Sequence, residues 1–284
     1  MRNYVFVADL FIDEYVGGAE LTTNAIISSK KDNQVKKIRC RDLTPELISN
    51  NLDSHWIICN FSSMESKYKL LFAKTANYSI VEYDYKFCDF RSPELHELST
   101  GTECDCATKS ENKINLVFYG RAEKIWFMSH KQRNIFLNNV PTIKKDNTSV
   151  LSSIFSEGDL RFMKSLRDNE KNNKYLILKS DSWIKGTNKC IEYVKNNNLE
   201  FELVSGLQYH ELLIKMSLSK GLIFRPLGSD TCPRIVIEAK LLGCDLKLND
   251  FVQHKDEDWF AGDIENCYNY LSSRTKVFWD YYER

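Results

Sequence analysis

Short apolar runs alternate along the chain with segments whose apolar residues recur at helical spacing. The runs at 4–8, 56–61 and 221–224 are almost continuous and are bounded by polar turns, which is typical of strands buried on both faces. Strands that alternate with helices at this pitch favour a parallel, doubly wound sheet. The pattern therefore predicts an α/β fold.

The pattern occurs twice, which indicates two Rossmann-like domains. A charged stretch at 168–174 contains no apolar residue and lies between the two halves. We predict an N-terminal domain over 1–160 and a C-terminal domain over 161–284. Within the first, the run at 114–119 is too apolar and too short for a surface helix and is predicted to be a strand.

The stretch at 222–248 carries the strongest local signals. The run at 222–224 is typical of the end of a buried strand, and the loop at 225–233 is rich in turn residues. Helical spacing begins at Arg234, Gly243 ends the helix, and a further strand follows. Strand, loop, helix and strand form the repeating unit of a parallel sheet.

Two acidic residues mark this stretch. Asp230 lies in the loop, and Glu238 shares a helix face with Ile235, Ala239 and Leu242. One interpretation is that Glu238 reaches solvent from the edge of that face and that Asp230 caps the helix. The other is that both bind a ligand, because ligands of open α/β sheets lie beyond the carboxyl ends of strands, close to helix N-termini.

These residues resemble the nucleotide-sugar signature of the retaining GT-B glycosyltransferases, in particular glycosyltransferase family four. That signature is an acidic residue, seven further residues and a Glu, in the form P-S-x-x-E … lEA-x-x-x-G. The chain has, at similar places, Pro226, Asp230, the run Ile237-Glu238-Ala239, and Gly243. It differs at the first acid, where Asp230 stands in place of the usual Glu.

Two other segments resemble the same family. Gly17 and Gly18 follow the first predicted strand and open a helix, and in the family these glycines leave room for the donor diphosphate or the acceptor. In the second half, Lys179 stands near the Arg of the motif G-R-L-x-x-x-K-G, and Lys185-Gly186 match its end. Two cations between a strand and a helix suit a diphosphate.

The resemblance implies a GT-B fold, in which two Rossmann-like domains face each other across a cleft and a C-terminal helix crosses back onto the first domain. The C-terminal residues are predicted to form helices at 264–271 and 276–282, the second with aromatic residues that suit docking. The implied activity is transfer of a glycosyl group from a nucleotide-diphosphate sugar, with retention of configuration. The implied enzyme requires no metal or other cofactor.

The resemblance also implies roles for individual residues. Glu238 should accept hydrogen bonds from the ribose hydroxyls, and Asp230 should contact the sugar hydroxyls. Lys185, together with Lys179, should neutralise the diphosphate, which is the leaving group. The implied donor-binding residues are Gly17, Gly18, Lys179, Lys185, Asp230, Thr231, Arg234 and Glu238, and the implied catalytic residues are Asp230, Lys185 and Asp84.

Asp84 is included because of its place in the chain. The predicted strand at 78–81 leads into it, and the matching loop of the family often carries a His that reaches the transferred sugar. No His stands in this loop, where Tyr83 and Asp84 are the nearest residues. The alternative is an ordinary junction of strand and loop with aromatic packing.

The segment at 88–106 is predicted to be a long irregular loop. It contains Cys88, His96, Cys104 and Cys106, four soft ligands that could bind zinc, although their spacing is not a C-x-x-C pair. The alternative is an acceptor-side loop whose thiols are unlinked, because long loops in compact domains are usually functional or mobile.

Charge and cysteine content narrow the class of protein. Lysine plus arginine and aspartate plus glutamate both number 39, so the net charge is zero and does not favour binding to nucleic acid. The sequence has no apolar run long enough to span a bilayer and no signal-peptide pattern. With nine cysteines, these features predict a cytoplasmic protein with reduced thiols.

The sequence leaves the acceptor and two other functions open. A glycan, a lipid-linked glycan, a protein and a modified nucleic-acid base are all possible acceptors. A nucleotide-sugar epimerase or a phosphorylase-like enzyme on the same fold is one alternative, because fold alone does not determine chemistry. A non-catalytic subunit that binds a sugar nucleotide or a glycan is the other.

Overall fold

The computed structural model describes residues 3–30 and 34–283 and divides into two compact units. Unit 1 consists of Met1–Ile154 together with Val277–Arg284, and unit 2 consists of Phe155–Lys276. Each unit contains one sheet with helices, and every strand pair in both sheets is parallel. The predicted α/β class with two Rossmann-like halves is confirmed.

Unit 1 contains a sheet of six strands in the order β2-β1-β3-β4-β5-β6. The strands are β1 (Tyr4–Ala8), β2 (Val35–Arg39), β3 (His55–Ile58), β4 (Tyr78–Glu82), β5 (Lys124–Phe127) and β6 (Thr148–Val150). The helices are α1 (Gly18–Ser28), α2 (Pro45–Ser49), α3 (Ser66–Thr75), α4 (Pro93–Thr100), α5 (Lys113–Arg121) and α6 (His130–Asn139). Strands β1, β3, β4 and β5 are buried at every residue, which explains their nearly continuous apolar sequences.

Unit 2 contains a sheet of four strands in the order β10-β9-β7-β8. The strands are β7 (Tyr175–Leu178), β8 (Phe201–Val204), β9 (Gly221–Phe224) and β10 (Asp245–Leu248). The helices are α7 (Glu157–Leu166), α8 (Thr187–Asn196), α9 (Tyr209–Ser217), α10 (Arg234–Leu241), α11 (Asp258–Ala261) and α12 (Ile264–Tyr282). Short 3₁₀ turns lie at Cys40–Asp42, Cys106–Thr108, Ser110–Asn112, Lys145–Asn147 and Trp183–Lys185.

Helix α12 begins in unit 2, and its last residues belong to unit 1. There the Trp279 ring packs edge-on against Tyr4 at a centroid distance of 4.9 Å, and its indole nitrogen donates to Ser29 Oγ at 2.8 Å. The crossing of the C-terminal helix is therefore confirmed. The prediction of two separate helices is wrong, because the polar residues between them continue the helix without a glycine or proline.

Two other local predictions are wrong. The run at 114–119 is helical, within α5, because it buries only Phe118 and Tyr119 and leaves Val117 exposed. The segment at 88–106 is not an irregular loop, because it contains α4. The Ser92 hydroxyl caps this helix by accepting a hydrogen bond from Leu95 N at 3.4 Å.

Each sheet has one point at which the chain changes direction. In unit 1 the neighbours of β1 are β2 and β3, and in unit 2 the neighbours of β7 are β8 and β9. The crevice at the carboxyl ends of strands that flank such a switch point is the usual ligand site of an open α/β sheet. In unit 2 these strands lead into the loops that carry Lys185 and Asp230.

Among the described residues, no helix has the length and apolar character that a membrane crossing requires.

Candidate functional site

A lysine and an aspartate meet beyond the switch point of unit 2. Lys185 Nζ donates to Asp230 Oδ2 at 2.7 Å, and the two side chains are 37% and 16% exposed. Asp230 is held in place by its backbone, which bonds to Phe251 O at 2.8 Å and to Gln253 N at 3.1 Å. The loops after β7 and β9 thus present a cation and a carboxylate at one position.

Gly186 allows these two loops to approach each other. It lies at φ 67° at the N-terminus of α8, in the left-handed region that favours glycine. A Cβ atom at this position would lie 2.1 Å from Arg225 O. The close approach is reinforced by Leu227 N, which donates to Ile184 O at 2.8 Å. Glycine is therefore required here both by the backbone conformation and by the space available.

We expect Gly186→Ala to lower the free energy of unfolding by on the order of 3 kcal/mol, because it adds a collision with the backbone to left-handed strain. Gly206→Ala is the matched control, since Gly206 has φ 70° and open space around its Cα. Left-handed strain alone should cost the control about 1–2 kcal/mol. Chemical denaturation measures both, and equal losses would contradict the close approach.

Glu238 lies in a buried cluster on α10. Its side chain is 2% exposed, and its Oε1 accepts a hydrogen bond from Tyr209 Oη at 3.0 Å. Arg234 Nε lies 3.4 Å from the same oxygen, an ion pair without hydrogen-bond alignment. The Arg234 guanidinium also donates to Tyr209 Oη at 3.1 Å and lies 3.8 Å from the centre of the Phe155 ring. Tyrosine and arginine thus hold one oxygen of this carboxylate.

The second oxygen, Glu238 Oε2, receives no hydrogen bond from the residues that the structure describes. Burial raises the pKa of Glu238, and the charge of Arg234 acts against this rise. Oε2 is not fully enclosed among the described residues, so a ligand or a water molecule can donate hydrogen bonds to it. Glu238 Oε2 can therefore accept hydrogen bonds from the hydroxyl groups of a ligand.

The two ordinary explanations of the acidic residues are both wrong in this structure. Glu238 does not reach solvent, because α10 is buried on nearly all sides and Ile235 is more exposed than Glu238. Asp230 is not the cap of α10, because the N-cap residue is Pro233 and no side chain caps this helix.

The remaining predicted donor residues of unit 2 differ in position. Thr231 follows Asp230 and is buried. Lys179 is exposed, and its backbone amide donates to Val204 O at 2.8 Å. Within the described part of the chain, the Lys179 side chain forms no hydrogen bond or ion pair with Lys185 or Asp230. The structure therefore brings Lys185 and Asp230 together but leaves Lys179 outside the pair.

In unit 1, the predicted glycines lie at the start of α1. A Cβ atom at Gly17 would lie 2.5 Å from Glu20 Oε2 and 2.6 Å from the Tyr15 ring, so glycine allows both side chains to fold over the turn. Burial raises the pKa of Glu20, against the effect of a hydrogen bond with Asn60. Glu20 is a candidate functional residue that the sequence analysis missed, although it ends the Gly-Gly-Ala-Glu motif.

Asp84 belongs to a buried network of charges at the carboxyl end of β4. Its carboxylate accepts from Lys86 Nζ at 2.8 Å and from Arg91 Nε at 2.7 Å. Burial acts to raise the pKa of Asp84, but the charges of Lys86 and Arg91 outweigh it and lower this pKa. Two cations already occupy the carboxylate, so a catalytic role for Asp84 stays a prediction.

Glu82 is the other acid of this network. Lys86 Nζ donates to it at 2.8 Å, and the Tyr119 hydroxyl also donates to it. Burial raises the pKa of Glu82 to about 7, against the charge of Lys86. Between the unfolded-state pKa and this value, the folded protein binds more protons than the unfolded chain, so the free energy of unfolding falls as pH rises.

We expect Glu82→Gln to flatten the dependence of stability on pH between about 4.5 and 7. The parent should lose roughly 1–3 kcal/mol of unfolding free energy across this interval through Glu82 alone. Denaturant titrations at several pH values measure the slope, with the exposed Glu46→Gln as control. Parallel curves for the parent and Glu82→Gln would contradict the raised pKa.

Comparison with known proteins rests on structure. No protein-family model matches the chain, and no curated protein sequence matches it. HepE from Anabaena, solved with UDP and glucose, superposes with a TM-score of 0.57 at 10% identity, covering 98% of this chain and 94% of HepE. The UDP-forming α,α-trehalose-phosphate synthase of Burkholderia xenovorans, solved with glucose-6-phosphate, superposes with a TM-score of 0.58 at 7% identity. The match covers 97% of this chain and 92% of the synthase. WaaG, a glycosyltransferase involved in lipopolysaccharide biosynthesis, superposes with a TM-score of 0.54 at 12% identity, covering 97% of this chain and 92% of WaaG.

The chain has the GT-B fold.

Two cavities of this GT-B chain were not predicted from the sequence. A cavity of about 520 Å³ in unit 1 is lined by Asp9, Leu10, Arg41, Ser62 and Ser63, residues that follow β1, β2 and β3. A cavity of about 350 Å³ in unit 2 lies between α8 and the loops after β9 and β10. There Asn249 Nδ2 donates to Pro226 O at 2.8 Å, and Asn249 Oδ1 is buried without a partner among the described residues. Both volumes lie in the range of small-molecule sites.

Four potential metal ligands also converge in unit 1. The ligand atoms of Cys88, His96, Cys104 and Cys106 all lie within 4.8 Å of one another. Within the described part of the chain, they are the one group of three or more His, Cys, Asp or Glu residues with metal-ligand spacing.

Proposed function

We propose that the protein transfers a glycosyl group from a nucleotide-diphosphate sugar to an acceptor. The observation that carries this proposal is the Lys185–Asp230 pair at the switch point of unit 2. Support comes from the GT-B fold, since HepE is solved with UDP-glucose and the trehalose-phosphate synthase is described as UDP-forming.

Lys185 is suited to neutralise the diphosphate of the donor. Its side chain is 37% exposed, so the ammonium group can exchange Asp230 for a phosphate oxygen without unfolding the loop. The backbone amides at the start of α8, which no side chain of the described residues caps, follow it directly and also favour an anion. Because negative charge grows on the diphosphate as the sugar leaves, a fixed cation here stabilises the transition state more than the bound donor.

Glu238 is suited to bind two neighbouring hydroxyl groups, as the ribose of a nucleotide presents. Tyr209 and Arg234 hold Oε1, which leaves Oε2 as an acceptor. This arrangement fixes the carboxylate before the donor binds, so little conformational entropy is lost on binding. In this proposal Asp230, released from Lys185, contacts the sugar hydroxyls, and Thr231 and Arg234 border the donor.

The proposal includes retention of the anomeric configuration and a mechanism without a metal ion or other cofactor. The acceptor is a glycan, a lipid-linked glycan, a protein or a modified nucleic-acid base. We place its binding in unit 1, whose Gly17 and Gly18 allow close approach to the start of α1. All nine cysteines lie among the described residues and are free of disulfides, which fits a reducing, cytoplasmic compartment.

Thermal unfolding with a panel of nucleotide-diphosphate sugars tests the donor site. At a concentration of 100 Kd, the correct donor should raise the free energy of unfolding by about 2.7 kcal/mol. Nucleoside monophosphates and free sugars are the controls, since each lacks the diphosphate that Lys185 would bind. A panel in which no donor changes the melting temperature would contradict the proposal.

A further inference from the structure

We propose that Cys88, His96, Cys104 and Cys106 form a structural zinc site in unit 1. Their ligand atoms lie within 4.8 Å of one another, and Cys106 Sγ is 3.2 Å from His96 Nδ1. In tetrahedral zinc sites, Zn–S bonds of about 2.3 Å place the sulfur atoms about 3.8 Å apart. Only a small contraction around the ion is therefore needed.

The ligand set favours zinc over magnesium and calcium. Three thiols and one imidazole form the Cys₃His combination of structural zinc sites, and thiolate ligands disfavour magnesium and calcium. Four protein ligands fill all tetrahedral positions, so no position remains for a substrate or a catalytic water. We therefore assign the site a structural role and not a part in the transfer reaction.

The surroundings of His96 support this assignment. Its Nδ1 faces the sulfur atoms, while its Nε2 lies 3.8 Å from Asp105 Oδ1. A carboxylate beside the second nitrogen is the usual outer partner of a metal-bound histidine, because it fixes the tautomer that coordinates through the first. Asp105 is itself held by Lys109 at 3.1 Å.

Helix α4 between the ligands is weakly anchored, because it buries few side chains. Of the eight residues of α4, only Leu95 and His96 are buried, whereas Leu98 is 69% exposed. Cys88 lies before α4, and Cys104 and Cys106 lie after Gly101, which ends the helix at φ 72°. One zinc ion would thus join the chain before α4, the helix itself and the chain after it. Metals stabilise other small units with little hydrophobic core in the same way.

Hydrogen bonding alone is the competing explanation for these thiols. Cys88 Sγ donates to Ser92 O at 3.5 Å, and Cys106 Sγ donates to Asp89 Oδ2 at 3.4 Å. These bonds account for single thiols, as at Cys40 and Cys244, but not for the convergence of four ligand atoms. Zinc binding would replace the thiol protons, which pass to solvent.

The position of the site connects it to the charge network at β4. Arg91 lies between Cys88 and α4 at φ 56°, and its guanidinium donates to Asp84. A zinc ion that fixes both ends of α4 would also fix Arg91 beside Asp84. Loss of the ion should therefore loosen the carboxyl end of β4 as well as the segment at 88–106.

Elemental analysis of the full chain, purified with a tag that contains no histidine and without added metal, tests the site. We expect about one zinc per chain. Cys104→Ser, at a half-buried position, should lose most of this zinc, whereas Cys40→Ala, at a buried position elsewhere in unit 1, should retain it. A zinc content near zero in the parent, or equal zinc in Cys104→Ser, would overturn the proposal.

Two further measurements on folded protein separate zinc from its alternatives. Cobalt in place of zinc should give the charge-transfer and intense visible bands of a tetrahedral thiolate site, and their absence would count against the proposal. Alkylation without reductant should find Cys88, Cys104 and Cys106 free of disulfides once the metal is chelated, and a disulfide among them would overturn it.

The role of Asp105 can be measured without removing a ligand. Asp105→Asn should weaken zinc binding about tenfold in competition with a chelator, as expected for the outer partner of a metal-bound histidine. Glu103→Gln is the matched control, because it removes the same charge from a neighbouring exposed position. Equal affinities for the two variants would show that Asp105 does not support His96 in the site.

Discussion

Lys185→Ala is expected to lower the turnover of a nucleotide-diphosphate sugar by about 10²–10³-fold. Lys185 Nζ lies 2.7 Å from Asp230 Oδ2, and the side chain is exposed enough to move to a diphosphate. Its charge matters most when the leaving group becomes more negative, so kcat should fall more than KM rises. Steady-state kinetics with a saturating donor measure both constants.

Lys195→Ala is the control for Lys185→Ala, because Lys195 is an exposed lysine in the last turn of α8. It should behave as the parent. Lys179→Ala should have a smaller effect than Lys185→Ala, since the Lys179 side chain lies outside the pair. If Lys185→Ala keeps the kcat of the parent, Lys185 has no role in the mechanism. If Lys195→Ala loses as much kcat as Lys185→Ala, the effect comes from the change in net charge alone.

Glu238→Gln is expected to raise the Kd of the donor by about ten- to a hundredfold. Gln keeps the volume of the side chain but removes the charged acceptor that we assign to the ribose hydroxyls, a loss of about 1.5–3 kcal/mol. Titration calorimetry with a hydrolysis-resistant donor analogue measures the affinity. The titration should be made at a temperature well below the melting temperature of the variant.

The same substitution should also lower stability, because it leaves the Arg234 guanidinium without its carboxylate. Arg234 keeps its contacts with Tyr209 and Phe155, so we expect a loss of about 1–3 kcal/mol. Tyr209→Phe is the matched control, since it removes a hydrogen bond to Glu238 but leaves the carboxylate. If Glu238→Gln loses stability and keeps the affinity of the parent, Glu238 is a structural residue.

The fold could be predicted from sequence where local signals agree. Strands β1 and β9 begin and end at the residues of the predicted apolar runs, because those runs are bounded by polar turns. The prediction of a strand at 114–119 failed because a short apolar run is compatible with a strand or a buried helix face. Tertiary packing of Phe118 and Tyr119 decides for the helix.

The candidate site could be predicted only in part. Lys185 and Asp230 follow neighbouring parallel strands, so their meeting was foreseeable from topology. The partner of Glu238 was not, because Tyr209 lies 29 positions away and no local pattern marks it. The approach of Cys88 to Cys104 and Cys106 likewise depends on α4, a helix that the sequence pattern did not predict.

Release of the free nucleoside diphosphate from a donor panel tests the central claim most directly. The claim predicts that at least one nucleotide-diphosphate sugar is hydrolysed slowly alone and faster with a suitable acceptor, and that Lys185→Ala removes this activity while Lys195→Ala keeps it. A donor that binds but is neither hydrolysed nor transferred would mean that the chain is a binding protein and not a glycosyltransferase.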